Sequence, residues 1–210
     1  GRVPNENDIV EINGAVNPQN FWDYVVAGLA VQPGGELRDF YKVTVRGDVI
    51  NEGIIANENT YVSGNIISNG QWNDSWRTYL TGNAPRFLSG TAPIEGTVEL
   101  MDNIVITNSP VFGGRLNLGA YDITFSPTET LTVFGDIQQV DSRSFLSFLG
   151  MPAATIQGLD KLVLAGNDQT VSLVLADANE LLLLRSGRKT LNIDKIIFLR
   201  FLILSIMDAR

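Results

Sequence analysis

The feature that most restricts the fold is a short motif that keeps returning: an aliphatic residue, any residue, glycine, Asp or Asn, then an aliphatic residue. The clearest copies are Val45-Arg46-Gly47-Asp48-Val49, Val62-Ser63-Gly64-Asn65-Ile66 and Val133-Phe134-Gly135-Asp136-Ile137. Looser copies centre on Gly14, Gly28, Gly82 and Gly166, and Leu100-Met101-Asp102-Asn103-Ile104 carries Asp in the glycine slot. From Gly14 to Asp102, neighbouring copies stand about 14 to 20 residues apart. Recurrence at such a period marks a chain of stacked, similar units, none able to bury its apolar face alone.

Between the motifs lie short alternating runs: Lys42 to Val45, Thr60 to Ser63, Thr97 to Leu100, Leu116 to Leu118, Ile123 to Phe125 and Thr130 to Val133. Alternation with β-branched residues is a strand signature, and Gly beside Asn or Asp supplies turns. Asn51-Glu52-Gly53 and Ser68-Asn69-Gly70 add a second turn after two of the copies. An antiparallel sandwich explains short strands but not one turn motif returning about every 18 residues. The expected fold is therefore an all-β, single-stranded parallel β-helix with coils of about 14–20 residues. The left-handed form demands a six-residue repeat that is missing, so a right-handed one is expected. Gly14, Gly28, Gly47, Gly64, Gly82, Gly135 and Gly166 are expected to form a ladder of corners.

One solenoid domain is expected over residues 1–210: N-terminal coils or a cap to 40, regular coils over 41–140, and more apolar coils over 141–210. Trp72 to Tyr79 and Asp141 to Pro152 are read as lengthened coils, with Phe145, Leu146, Phe148 and Leu149 folding back on the core. Phe21, Trp22 and Tyr24 are expected to cover its N-terminal end. The apolar stretch within 181–207 reads as terminal strands or an interface. Its run from Ile196 to Met207 is short for a membrane span and contains Arg200. Because the chain opens on Gly1 rather than Met, a leader or upstream segment is expected to have been removed, and no secretory signal is visible.

Composition removes several chemistries. The net charge is −8, and Lys and Arg are scattered, which disfavours nucleic acid. The chain has neither Cys nor His. It thus lacks thiolate ligands, disulfides, and the commonest metal ligand and general base. No cofactor is expected. Asn5, Glu6, Asn7 and Asp8, and Asn167 with Asp168, offer oxygen ligands for calcium, but no EF-hand or nonapeptide pattern is present, which favours surface turns. Charged residues make up only 18%, so small neutral polar residues carry the surface.

Val43 to Gly53, Thr60 to Trp72 and Leu116 to Gln138 resemble the repetitive right-handed parallel β-helix regions of bacterial secreted and cell-surface, adhesin-like proteins. Tyr79 to Gly90 and Phe145 to Leu162 resemble the linking coils of such arrays. The resemblance covers most of residues 40–185; residues after Arg185 depart from it. It implies a passive stalk, an adhesin or a self-assembling surface layer, at the cell surface or outside the cell.

Two site readings compete with pure scaffolding. Asp48, Asp102, Asp122 and Asp136 could align as a carboxylate pair for polysaccharide cleavage. Yet Asp48 and Asp136 occupy a slot that Asn65 and Asn83 also fill, which points to turn chemistry. Trp72, Asn73, Asp74, Trp76 and Tyr79 combine flat rings with amide and carboxylate groups suited to sugar faces; packing is the competing role. The expectation is a non-enzymatic extracellular scaffold, joined through its coil ends to a longer chain or to further copies, with surface glycans as a second class of partner. The alternative is a polysaccharide-binding or polysaccharide-cleaving β-helix.

Overall fold

Strands of three or four residues between tight turns cannot form hairpins of useful length, but they can wind. In the computed structural model, which describes residues 4–17, 23–126, 128–138, 155–175, 178–183, 188–196 and 199–204, the chain winds about 8 turns of a parallel β-solenoid. The first coils comprise β1 (Ile9–Ile12), β2 (Ala15–Val16) and β3 (Asp23–Val26), then β4 (Gly28–Val31), β5 (Glu36–Arg38) and β6 (Lys42–Val45). Next come β7 (Val49–Asn51), β8 (Ile54–Ala56) and β9 (Asn59–Val62), followed by β10 (Ile66–Ser68) with β11 (Gln71–Leu80) and β12 (Leu88–Ser89) with β13 (Ile94–Leu100). The middle coils hold β14 (Ile104–Ile106), β15 (Val111–Phe112), β16 (Arg115–Asn117), β17 (Ile123–Phe125), β18 (Thr130–Val133) and β19 (Ile137–Gln138). The last are β20 (Thr155–Gln157), β21 (Leu159–Leu164), β22 (Gln169–Leu175), β23 (Ala178–Leu183), β24 (Lys189–Ile196) and β25 (Leu199–Leu204).

Pairing sorts these strands into three faces. Face one runs β1-β4-β7-β10-β12, continues through an Arg86–Ile106 bridge, then β14-β17-β20, and ends on the last residues of β22 and β24. Face two runs from β2 through β5, β8, the start of β11 and β13, β15, β18 and β21 to β23 and β25. Face three runs from β3 through β6, β9, the ends of β11 and β13, β16 and β19 to the starts of β22 and β24. Turn contacts give the coil length. Successive Asn or Asp corners bond across 17, 22, 20 and 19 residues, and across 33 between Asp122 and Thr155. Most coils are thus near the expected period, and one is much longer.

Alternation decides what faces in. On face two the inward column reads Leu37, Ile55, Trp72, Ile94, Phe112, Val133, Leu164, all paired in register and buried. On face three Val26, Val45, Val62, Leu80 and Leu100 stack in the same way. Like sits on like because each coil repeats the backbone of the one below. Fully burying such a side chain is worth about 1.5–3 kcal/mol.

The corner glycines do not form one ladder. Gly47, Gly64 and Gly82 lie at the corner between faces three and one, where Gly28 opens β4. Gly14 stands at the corner between faces one and two, and Gly135 and Gly166 at that between faces two and three. The same five-residue turn fits any of the three bends, so its recurrence reports bending rather than a single column. The tightest columns are Gly35–Gly53–Gly70 and Gly96–Gly114–Gly135. In both, a Cβ on the later glycines would collide with the backbone of the glycine one coil below.

Residues 72–79 lengthen their coil by a bulge within a strand. They lie within β11, which passes round the corner from face two to face three with a bulge between Asn73 and Arg77. Trp72 faces Ile55 and Arg77 faces Asn59, so this coil gains a single residue there. Tyr24 packs on the core as expected. Phe21, Trp22 and the segment 141–152 with Phe145, Leu146, Phe148 and Leu149 lie outside the described residues.

Candidate functional site

The motif carboxylates act as surrogate backbone acceptors. Asp48 Oδ1 accepts Asn65 N–H at 2.8 Å, and Asn65 Oδ1 accepts Phe87 N–H at 3.0 Å one coil later. Asp122 receives Thr155 N–H at 2.7 Å, Asp136 receives Thr170 N–H at 2.8 Å, and Asp168 receives Arg188 N–H at 2.7 Å. Asp102 Oδ2 accepts Gly82 N–H at 2.6 Å. A corner carbonyl that the bend turns away is replaced by a side-chain oxygen, which Asp and Asn supply equally. The acidic Asn5–Asp8 turn closes on itself, with Asn5 N–H on Asp8 Oδ2 and Asn7 N–H on Asn5 Oδ1. Among the described residues no three His, Cys, Asp or Glu side chains converge as a metal site.

The residues of the proposed sugar cluster part company. Trp72 is fully buried in the face-two column, and Asp74 turns inward beside it. Trp72 Nε1–H donates to Asp74 Oδ2 (3.1 Å) and Thr78 Oγ1 (3.0 Å), Thr78 O–H donates to Asp74 Oδ2 (2.8 Å), and Asn57 N–H donates to Asp74 Oδ1 (3.0 Å). Asn57 Nδ2 reaches Thr60 Oγ1 at 3.3 Å, so Thr60 and Thr78 set one polar knot into the neighbouring inward column of face three, between Val43 and Val98. Burial raises the Asp74 pKa above the usual carboxylate range, against the opposing pull of these hydrogen bonds. Tyr79 lies on the outer side of face three, stacked on Tyr61 at 4.2 Å and 11°, and is only 4% exposed. A sugar platform of all five residues is therefore not assembled: two point into the core and a third is covered. Asn73 and Trp76 alone reach solvent.

Register supplies Trp76 with neighbours that linear reading passes over. Trp76 N–H and Arg77 N–H both bond Glu58 O, and Glu58 N–H bonds Phe40 O. Arg77 pairs with Asn59 and Asn59 with Lys42. Tyr41, Glu58 and Trp76 therefore occupy one corner position on three successive coils. Tyr41 is 45% and Trp76 56% exposed. The same column continues through Gly96, Gly114 and Gly135, which carry no side chain. The nearby cations are engaged: Arg77 meets Glu99 at 2.7 Å and Lys42 meets Asp23 at 3.7 Å. No family model, curated protein or solved structure matches the chain.

A buried arginine holds the next corner. Arg86 reaches Val62 O at 3.2 Å and also donates to Thr81 O and Gly82 O. Burial lowers its pKa, an effect that Asp102 opposes. It links two successive coils, through Val62 O on one and the Thr81 and Gly82 carbonyls on the next, where the strand pattern lapses between β11 and β12. A shallow pocket of about 100 Å³ lies at the neighbouring corner between faces one and two, lined by Ser68, Ser89, Thr91, Ser109, Leu88 and Phe112 among others. Its lining is neutral and without a nucleophile–base pair.

Proposed function

We propose that the protein is a non-enzymatic structural element of the extracellular or cell-surface kind, a β-solenoid scaffold that extends by stacking coil upon coil with further copies of itself. The observation that carries this reading is the state of the terminal coils. Among the described residues, β1, β2 and β3 each pair on one side only, and so do β24 and β25. Unpaired parallel edges at both ends of one axis offer the register that another coil needs, whether from a further copy or from more of a longer chain. Ile9 (79% exposed) and Val16 (38%) place apolar surface on the first coil. A charged fraction of only 18% and the absence of His and Cys support a passive role.

Sedimentation velocity and negative-stain electron microscopy over a wide concentration range test it. Mass should rise with concentration, and rods should lengthen at constant width. Val16→Lys, which sets a charge on the β2 edge, should shift assembly to higher concentration. A monomer at every concentration rejects the reading.

A further inference from the structure

We propose that the corner between faces two and three is a binding track for an extended, neutral polysaccharide, with Tyr41 and Trp76 as its two stacking platforms. This goes beyond the scaffold reading and does not depend on it. Two large aromatic rings are exposed in one column, two coil steps or about 9.5 Å apart. One coil step is close to the advance of one pyranose unit in an extended β-linked chain. A glycan running along the solenoid axis can therefore set alternate sugars on the two rings. Beyond Trp76 the column positions are Gly96, Gly114 and Gly135, which add no side chain of their own to the floor, with the Glu95 carboxylate alongside at Gly113.

The polar groups beside the rings select the ligand's charge. Glu58 stands between the rings, with Asp39 beside Tyr41 and Asn73 and Ser75 beside Trp76. Asp39 is the one non-glycine among the described residues with a positive φ (63°), and Asn17 Nδ2 holds its carboxylate at 2.9 Å. The Arg77 guanidinium stands 6.0 Å from the Trp76 ring centroid and pairs with Glu99, and Lys42 pairs with Asp23, so Glu58 and Asp39 leave the corner net negative. A uronic-acid or sulfated polymer, or a nucleic acid, would meet repulsion there. Carboxylate and amide oxygens accept hydroxyl protons while the rings cover sugar C–H faces. These features together specify a neutral glycan with equatorial faces.

The test is isothermal titration of the intact protein with cellohexaose, mannohexaose and maltohexaose, the last a coiled chain that cannot follow a straight track. Saturable binding to at least one extended hexaose and none to maltohexaose is expected, with the affinity falling at least tenfold in Trp76→Ala and again in Tyr41→Ala. Trp72 is buried and reports folding, so near-ultraviolet circular dichroism checks that both variants keep the native core. No binding to either extended hexaose at millimolar concentration overturns the proposal. Binding that survives either substitution in a folded variant, or that favours maltohexaose, overturns it too.

Discussion

Replacing Asp74 tests how the solenoid tolerates a carboxyl group in its core. The side chain is 3% exposed and its partners are Trp72, Thr78, Asn57 and Thr60, with no cation among them. Burial holds its folded pKa above the ordinary carboxylate value. The contribution of this group to stability is therefore fully present below the unfolded pKa and is lost as pH rises through the folded one. Above that window the protein carries a buried anion. Asp74→Asn keeps an acceptor for Asn57 N–H and removes the titration. It loses the Trp72 bond, worth about 1 kcal/mol, although Trp72 Nε1 retains Thr78. Asp74→Leu leaves the Asn57 N–H without an acceptor at a cost of about 1–3 kcal/mol. Urea unfolding followed by circular dichroism from acid to neutral pH should show the Asn variant gaining on the wild type as pH rises. The Leu variant should lie below the Asn variant throughout. A gap between Asn variant and wild type that is independent of pH, or that moves the other way, refutes the argument.

The glycine columns predict opposite outcomes for one chemical change. Gly114→Ala should cost about 3 kcal/mol or more, because its Cβ meets the Gly96 backbone, whereas Gly14→Ala should fall within about 0.5 kcal/mol; thermal denaturation separates them. Asp48→Ala should lose about 1 kcal/mol with the Asn65 N–H acceptor while Asp48→Asn stays near wild type, measured as urea midpoints. Arg86→Met should destabilise by about 1–3 kcal/mol, because three corner carbonyls lose their donor, and increased amide exchange at Thr81 to Gly82 should accompany it.

The solenoid was legible because its constraints are local. Alternation in Lys42 to Val45 and Thr130 to Val133 reproduces β6 and β18 residue for residue. Gly with Asp or Asn marks corners because only such residues combine a tight bend with a spare acceptor. What local reading misassigned was which corner each motif serves. Gly64 and Gly135 share the motif and sit on different edges, since the three bends present nearly the same backbone problem. Asn51-Glu52-Gly53 and Ser68-Asn69-Gly70, which read in sequence as a second turn, belong to a column as tight as any other.

The site was harder to read because it is a product of register. Trp72 and Trp76 are four residues apart, yet the bulge in β11 sends one into the core and the other to solvent. Parity alone predicts that residues at an even separation share a side. The bend breaks that rule at the corner alone: Trp76 turns outward there, while Thr78 and Leu80 beyond it face inward again, in step with Trp72 and Asp74. Tyr41 is invisible as a partner of Trp76 for a related reason. The steps from Lys42 to Asn59 and from Asn59 to Arg77 are 17 and 18 residues, so the single extra residue of the bulge keeps one fixed offset from joining all three coils. Only the chain of pairs from Lys42 through Asn59 to Arg77 does so. In a solenoid, then, core residues can be assigned from each strand alone, whereas any surface that a ligand reads along the axis is defined by the sum of all the coil lengths beneath it. Inserting one residue into the turn between β8 and β9 should accordingly leave most of the core columns intact while displacing Glu58 from between the two rings.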